Sequence, residues 1–423
     1  MSKKQKRLLS LFSGCGGMDL GFEGDFEIIT SLINTSIHNN WIQRSTNDKS
    51  QLKKTIFKTI FANDILKEAK SAYIPFFTNR DHKEGTFHSE SIVDLVKNYR
   101  ENKFKFPQNV DIVTGGFPCQ DFSVAGKRKG LKSQKGHNGG KACDIDIANS
   151  ENRGQLYMWL KEVIEITKPK VFFAENVKGL VSLGDVKKII ENDFKSIDNE
   201  GYLVIPAQVL NAADYGVPQN RERVIFIGFN KKYLRKDIIK YLEQDNIPEE
   251  LNPYPIKTHF NPKNKNLLEL NDKLIPYTTC KQVLLDLTEP EYENIDLAQQ
   301  AYSKAKFCKG YQGNIEIQLD SVSPTIRAEH HGNIEFRRLS EEHGGKYLEE
   351  LKTMKERRLT VRECARLQTF PDNYEFVRKV PKGEPYNLSA SGAYRVIGNA
   401  VPPLLAYHLA KRLEELWDTF FIE

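Results

Sequence analysis

The stretch that most constrains the fold lies near the start of the chain. An apolar run, Arg7-Leu-Leu-Ser-Leu-Phe12, passes into Ser13-Gly-Cys-Gly-Gly17 and then into Met18-Asp-Leu-Gly-Phe22. A strand, a glycine turn and a helix start in that order form a cradle for a cofactor. Glycines let the backbone approach a ligand and adopt positive φ without a side-chain clash, and the helix start offers unpaired N–H groups. A turn that serves only topology is the plainer reading of the same residues. After Gly14 and Gly16 the third position of the G-x-G-x-x-G fingerprint falls on Asp19, so a nicotinamide cofactor is disfavoured.

Apolar strands alternate with helical segments from there to about Phe229, with helices expected at Gln155 to Thr167 and Val186 to Ile197. This pattern predicts an α/β fold with a doubly wound, mostly parallel sheet. After Asn230 the chain becomes dense in Lys, Asn, Pro and Glu and loses its long apolar runs, which marks a second, smaller domain. Leu404, Leu405, His408, Leu409, Leu413, Leu416 and Trp417 then recur at helical spacing and need a core to cover them. The expected division is therefore a discontinuous first domain, residues 1–229 plus 388–423, and a second domain with its hinge, residues 230–387.

Gly115-Gly-Phe-Pro-Cys-Gln120 puts a cysteine directly after a proline at the end of the strand-like Val110-Asp-Ile-Val-Thr114. A rigid loop, a polar Gln-Asp-Phe-Ser and a basic Lys127-Arg128-Lys129 suit a nucleophilic Cys119, although an incidental buried cysteine is the competing reading. Four further segments complete the set. Phe172-Phe-Ala-Glu-Asn-Val177 carries Glu175 at a strand end, and Gln219-Asn-Arg-Glu-Arg223 precedes the strand Val224-Ile-Phe-Ile-Gly228. Arg358 to Pro371 has helical spacing and a proline stop, and Ala393-Tyr-Arg-Val-Ile-Gly-Asn-Ala-Val-Pro402 leads into the last helix. Taken singly, a Glu at a strand end or an Arg pair reads more simply as a surface ion pair.

Together, in this order, these segments resemble the DNA (cytosine-5) methyltransferase family of the bacterial restriction-modification type. The resemblance covers most of residues 7–229 and 356–423, leaving about 230–355 for the variable target-recognition region. It implies the S-adenosylmethionine-dependent methyltransferase fold. S-adenosyl-L-methionine would lie against Phe12, Gly14, Gly16 and Gly17, with Asp64 at the ribose, Ile65 beside the adenine, and Pro118, Leu156 and Asn399 lining the rest. Ser91 stands where the family often has an acid contacting adenine, which leaves that contact open. Residues 27–57 read as an insertion.

The chemistry asks for the same residue types. Carbon 5 of cytosine is a poor nucleophile, so a thiolate must first add to carbon 6, the role the resemblance gives Cys119. A carboxyl group kept partly neutral by burial, Glu175, would protonate N3. Arg223 would hold the O2 edge, with Arg221 in support. Because the ring is unreachable in a stacked duplex, the target nucleotide is expected to be flipped out. Gln120 and Ser123 are expected on the DNA, as are Lys127, Arg128 and Lys129 on a lid-like basic loop. In the second domain, Thr325, Arg327 and His331 are placed to read bases, or alternatively to grip phosphates or brace the loop. His330 and His331 do not suggest a metal, since neighbours on a strand point opposite ways.

Whole-chain numbers agree with this reading. The 423 residues suit two domains, and a net charge of +6 permits an anionic partner without demanding one. Six cysteines at 15, 119, 143, 280, 308 and 364 form no C-x-x-C pair, which argues against zinc and disulfide frameworks. The basic N-terminus runs straight into a strand, and no long apolar stretch exists, so a cytoplasmic, soluble protein is expected. The expected partners are double-stranded DNA and, functionally, a restriction endonuclease, with the chain working as a monomer. An RNA cytosine-5 methyltransferase of the same fold and a non-catalytic DNA-binding relative are the alternatives. The second predicts losses at Cys119, Glu175 or Arg223, and all three are present.

Overall fold

The computed structural model describes residues 4–118, 156–198, 201–263, 273–292, 296–346, 354–380 and 387–422. Its centre is a seven-stranded sheet. The strands are β1 (Lys6–Leu11), β2 (Phe57–Asn63), β3 (Phe87–His88), β4 (Ile112–Gly116), β5 (Val171–Val177), β6 (Tyr202–Asn211) and β7 (Glu222–Asn230). They lie in the order β3-β2-β1-β4-β5-β7-β6. All neighbours pair parallel except at β7, which runs antiparallel to both β5 and β6. The doubly wound, mostly parallel α/β sheet expected from the sequence is therefore present.

Successive side chains on these strands enter two different cores, as a period of two requires. Leu8, Phe173 and Ile225 face one core, while Leu9, Phe172 and Phe226 face the other. On the first face lie α1 (Gly17–Glu23), α2 (Lys67–Thr78) and the C-terminal helix α8 (Pro403–Phe420). On the second lie α3 (Ile92–Arg100), α4 (Leu156–Thr167) and α5 (Val186–Lys195). Both helices expected in this half therefore form; Gln155 lies outside the described residues. The last helix closes on the first-face core: Trp417 meets Phe57 at 5.7 Å between ring centroids. Gly21 of α1 is so close to α8 that a Cβ there would come within 2.4 Å of Ala406.

Residues 27–57, expected to be an insertion, contain a small antiparallel sheet of Glu27–Ile29, Ile42–Ser45 and Lys49–Leu52. Trp41 anchors it, packing edge-on against Tyr407 and His408 of α8. Between 231 and 380 the described residues form short elements joined by buried ion pairs, among them Arg357 to Glu289 and to Glu363, each at 2.8 Å. The helical spacing seen at Arg358 to Pro371 corresponds to α6 (Val361–Leu367), opened by a Thr360/Glu363 capping box. It precedes α7 (Ala390–Asn399), which leads into α8.

The sheet fixes where chemistry can occur. Strand order reverses between β1 and β4, and ligands of such sheets bind outside the carboxyl ends of the strands at that switch point. Phe12, Asp64 and Phe117 all follow strand ends at this edge, and the antiparallel β7 brings its beginning, Glu222 and Arg223, to the same place.

Candidate active site

A cavity of about 1010 Å³ opens at this edge. On one side it is lined by Phe12, Gly14, Asp64, Ile65 and Ser91, and towards the middle by Pro118, Leu156 and Asn399. On the other side stand Glu175, Arg223, Thr325 and Arg327. Residues separated by more than 300 positions in the chain thus line one cavity.

The glycines of the first turn divide into two kinds. Gly14 has φ +56°, and a Cβ on it would meet nothing within 4 Å, so its bare backbone faces the cavity. Gly16 and Gly17 do not line the cavity. A Cβ there would lie 2.3 Å from the Phe77 ring and 2.3 Å from the Val401 carbonyl oxygen, so they allow α1 to pack closely. Asp64 grips the same turn, accepting from the Gly14 N–H at 2.9 Å and the Leu66 N–H at 2.8 Å. Burial raises its pKa, and these two backbone bonds offset only part of that rise. Phe12 holds a left-handed φ of +52°, a strained state for a non-glycine residue of a kind that gathers at ligand sites. Ile65 is 45% exposed although apolar, and it faces the cavity. Ser91 caps α3 by accepting from the Val93 N–H at 3.2 Å and lines the cavity at that helix start.

Across the cavity, Glu175 sits on β5 opposite Gly116 of β4 and Ile225 of β7. Its Oε1 is 2.8 Å from Nε of Arg223, and both side chains are about nine-tenths buried. Gly116 keeps this corner open, since a Cβ there would lie 3.0 Å from Oε2 of Glu175. Burial raises the Glu175 pKa above the ordinary carboxylate value, and the charge of Arg223, then Arg221, pulls back only part of the shift. The pair is not the surface ion pair that either residue suggested when read singly. Next to it, the Asn176 side chain donates to the Phe117 carbonyl at 3.1 Å and so fixes the backbone entering Pro118.

Arg221 stands apart from the cavity. It is fully buried and donates to the backbone carbonyls of Ile326 at 3.1 Å and of Gly398 and Ala400 at 2.8 Å each. Gln219 works beside it, accepting from the Ile326 N–H at 3.0 Å and donating to the Leu367 carbonyl at 3.2 Å. Gln219 and Asn176 fall within motifs that the sequence singles out, but sequence reasoning gives neither a role, and both prove to be site-building residues. The available signal was a polar amide set inside or beside an apolar strand.

Of the residues expected to read DNA, Thr325 and Arg327 reach the cavity. Thr325 donates to the Asn220 carbonyl at 2.7 Å, and the Arg327 guanidinium is braced by Glu335, Gln312 and the Asn333 carbonyl. His331 is exposed and does not line the cavity, whereas His330 does. The two histidines lie in an irregular bend with ring centroids 4.0 Å apart, so the opposed orientation expected of strand neighbours does not occur. Among the described residues no group of three or more His, Cys, Asp or Glu is placed to hold a metal. Cys119, Gln120, Ser123, Lys127, Arg128 and Lys129 lie outside the described residues.

A model of the C-5 cytosine-specific DNA methylase family matches residues 6–415. The chain belongs to this family. Among curated proteins, this DNA cytosine-5 methyltransferase is 31% identical to Type II methyltransferase M.BsuRI of Bacillus subtilis, over 98% of its own length and 80% of that protein's. It is 29% identical to Type II methyltransferase M.FnuDI of Fusobacterium nucleatum, over 97% and 94% respectively. Among solved structures, Entamoeba histolytica methyltransferase EhMeth shares the fold at a TM-score of 0.55 and 16% identity, covering 99% of both chains. S. pombe Dnmt2 methyltransferase does so at 0.52 and 18%, over 97% of this chain and 99% of its own. Proteins of this family and fold generally use S-adenosylmethionine. No described helix of this methyltransferase is long and apolar enough to cross a membrane.

Proposed function

We propose that this methyltransferase modifies carbon 5 of a flipped-out cytosine at a specific site in duplex DNA, through a covalent bond from Cys119 to carbon 6. The observation that carries the reading is the buried Glu175–Arg223 pair, which shares one cavity with the Gly14–Asp64 turn at the switch point of the sheet.

S-adenosyl-L-methionine fits the first half of that cavity, and when bound it supplies the electrophilic methyl group. Gly14 offers open backbone, Asp64 a carboxylate for ribose hydroxyls, Ile65 an apolar face and Ser91 a hydroxyl. Asn176 steadies the carbonyl of Phe117, two residues before Cys119 in sequence. The Cys119 thiolate adds to carbon 6 as Glu175, neutral for part of the time because it is buried, gives its proton to N3. Arg223 holds Glu175 in place and takes the O2 edge. Carbon 5 then carries enamine electrons and accepts the methyl group, which would leave S-adenosyl-L-homocysteine behind. Loss of the carbon 5 proton to water, cleavage of the carbon 6–sulfur bond with departure of the thiolate, and return of the N3 proton to Glu175 restore the ring.

Residues 230–387 act as the target-recognition domain and hinge in this reading, with Thr325 and Arg327 at the cavity rim. Gln120, Ser123 and the basic run Lys127 to Lys129 face the DNA. The working form is a monomer in the cytoplasm that protects DNA from a partner restriction endonuclease. Bisulfite sequencing of plasmid DNA from cells expressing the chain tests the activity. A protected cytosine at one recurring sequence supports it, and conversion of every cytosine rejects it. Trapping with a 5-fluorocytosine duplex tests the covalent step: the adduct forms with the wild type and is lost in Cys119→Ala, and an adduct that persists in the variant overturns the assignment.

A further inference from the structure

Residues 303–314, Ser-Lys-Ala-Lys-Phe-Cys-Lys-Gly-Tyr-Gln-Gly-Asn, contain three lysines and no acid. Despite its irregular backbone, the loop is tightly built. Arg358, almost fully buried, donates to the carbonyls of Ala305 at 2.7 Å and of Lys306 and Gly313 at 3.1 Å each. Arg358 also donates to the Asn314 side-chain oxygen at 3.1 Å. Asn314 in turn ties the Cys308 and Tyr311 carbonyls at 2.6 and 3.1 Å. Gly313, at φ +78°, is pressed so closely on the Asn333 carbonyl that no side chain fits.

All this order presents one ring to solvent. Tyr311 is 67% exposed, and its neighbour Gln312 lines the active-site cavity and accepts from Arg327 at 3.0 Å. A rigid aromatic at the rim of a cavity, flanked by lysines without acids, matches an anionic polymer that offers flat stacking faces.

We infer that this loop is a DNA-contacting face in which the Tyr311 ring packs on a sugar, or on a base face laid open by the flipped-out nucleotide, beside the active-site cavity, while Lys306 and Lys309 meet phosphates. The inference rests on the proposed function in taking duplex DNA as the ligand. Arg358 is a positioning residue that holds the loop in shape for this contact.

The test uses the full chain with unmethylated plasmid DNA. Tyr311→Ala is expected to raise the KM for DNA about tenfold, the scale of one lost base–aromatic contact, with kcat and the donor KM unchanged. Tyr311→Phe should stay close to wild type. Replacing Lys306 and Lys309 together by Ala should flatten the dependence of log affinity on log salt by about 1.8, at roughly 0.9 per phosphate contact. An unchanged DNA KM in Tyr311→Ala overturns the inference, as does a Phe variant as impaired as the Ala variant. A wild-type chain that methylates no plasmid cytosine would instead strike the proposed function. The two failures are separated by measuring the same variants for donor-free binding to a labelled duplex.

Discussion

Arg223 holds Glu175 across an antiparallel seam of the sheet, Nε to Oε1 at 2.8 Å, yet burial still raises the carboxyl above its ordinary pKa. An acid with a raised folded pKa binds more protons in the native state than in the unfolded one. Its effect on stability is therefore unfavourable once pH climbs past the unfolded value and through the folded one. Glu175→Gln should remove that pH-dependent loss and leave the melting temperature near or above wild type at pH 7.5. It should also lower kcat by about 100-fold or more, because in the proposed mechanism Glu175 donates the proton to N3. Paired thermal melts and initial rates check this; a variant that keeps its rate removes Glu175 from proton transfer.

Arg221 should prove structural in its energetics. Arg221→Ala leaves three buried carbonyls without their donor, and each costs about 1–3 kcal/mol, so the urea midpoint should fall by the equivalent of at least about 3 kcal/mol. Arg221→Lys should recover only part of this, since an ammonium cannot span the fork. A midpoint like that of wild type in the Ala variant would contradict the arrangement.

Two neighbouring glycines should fail in different ways. Gly17→Ala drives a Cβ against the Val401 carbonyl and should lower the melting temperature. Gly14→Ala meets no atom, so folding loses only about 1 kcal/mol for the left-handed backbone, but the methyl group enters the cavity. Calorimetric titration with S-adenosyl-L-methionine should show weakened binding to Gly14→Ala while its melt changes little.

Acid should loosen the ionic knot of the second half of the chain. Burial alone would raise Glu289, but hydrogen bonds from Arg338 and Arg357 outweigh it and hold the carboxyl down to about 2. The stability this contributes is complete above the unfolded pKa of about 4.5 and is lost as pH falls from there towards 2. Glu289→Gln should cost about 2 kcal/mol at pH 7, once solvent screening is allowed for, and only about a quarter of that at pH 2.5. Denaturant unfolding at the two pH values checks both halves of the expectation.

Much of the catalytic half was legible because period-two apolar runs end at chemically distinctive residues. Leu8 and Leu9, or Phe172 and Phe173, announce a sheet covered on both faces, and Glu175 announces what stands at its edge. What stayed hidden depends on partners far away in sequence. Nothing local to Arg221 reveals that it is used up on carbonyls at 326, 398 and 400, or that Gly16 and Gly17 serve packing while Gly14 serves the cavity. The small sheet within residues 27–57 was invisible as structure because its short strands carry little apolar alternation and depend on Trp41 reaching α8. The bend at His330 and His331 misled for the same reason: a strand periodicity was assumed where backbone turns intervene.

The clasp made by Arg221 limits how the molecule can open. One side chain ties the start of β7, the approach to Arg327 and the exit of α7, so these three stretches travel as one piece. A change at this one side chain is therefore felt at once on both flanks of the cavity, although Arg221 touches no ligand.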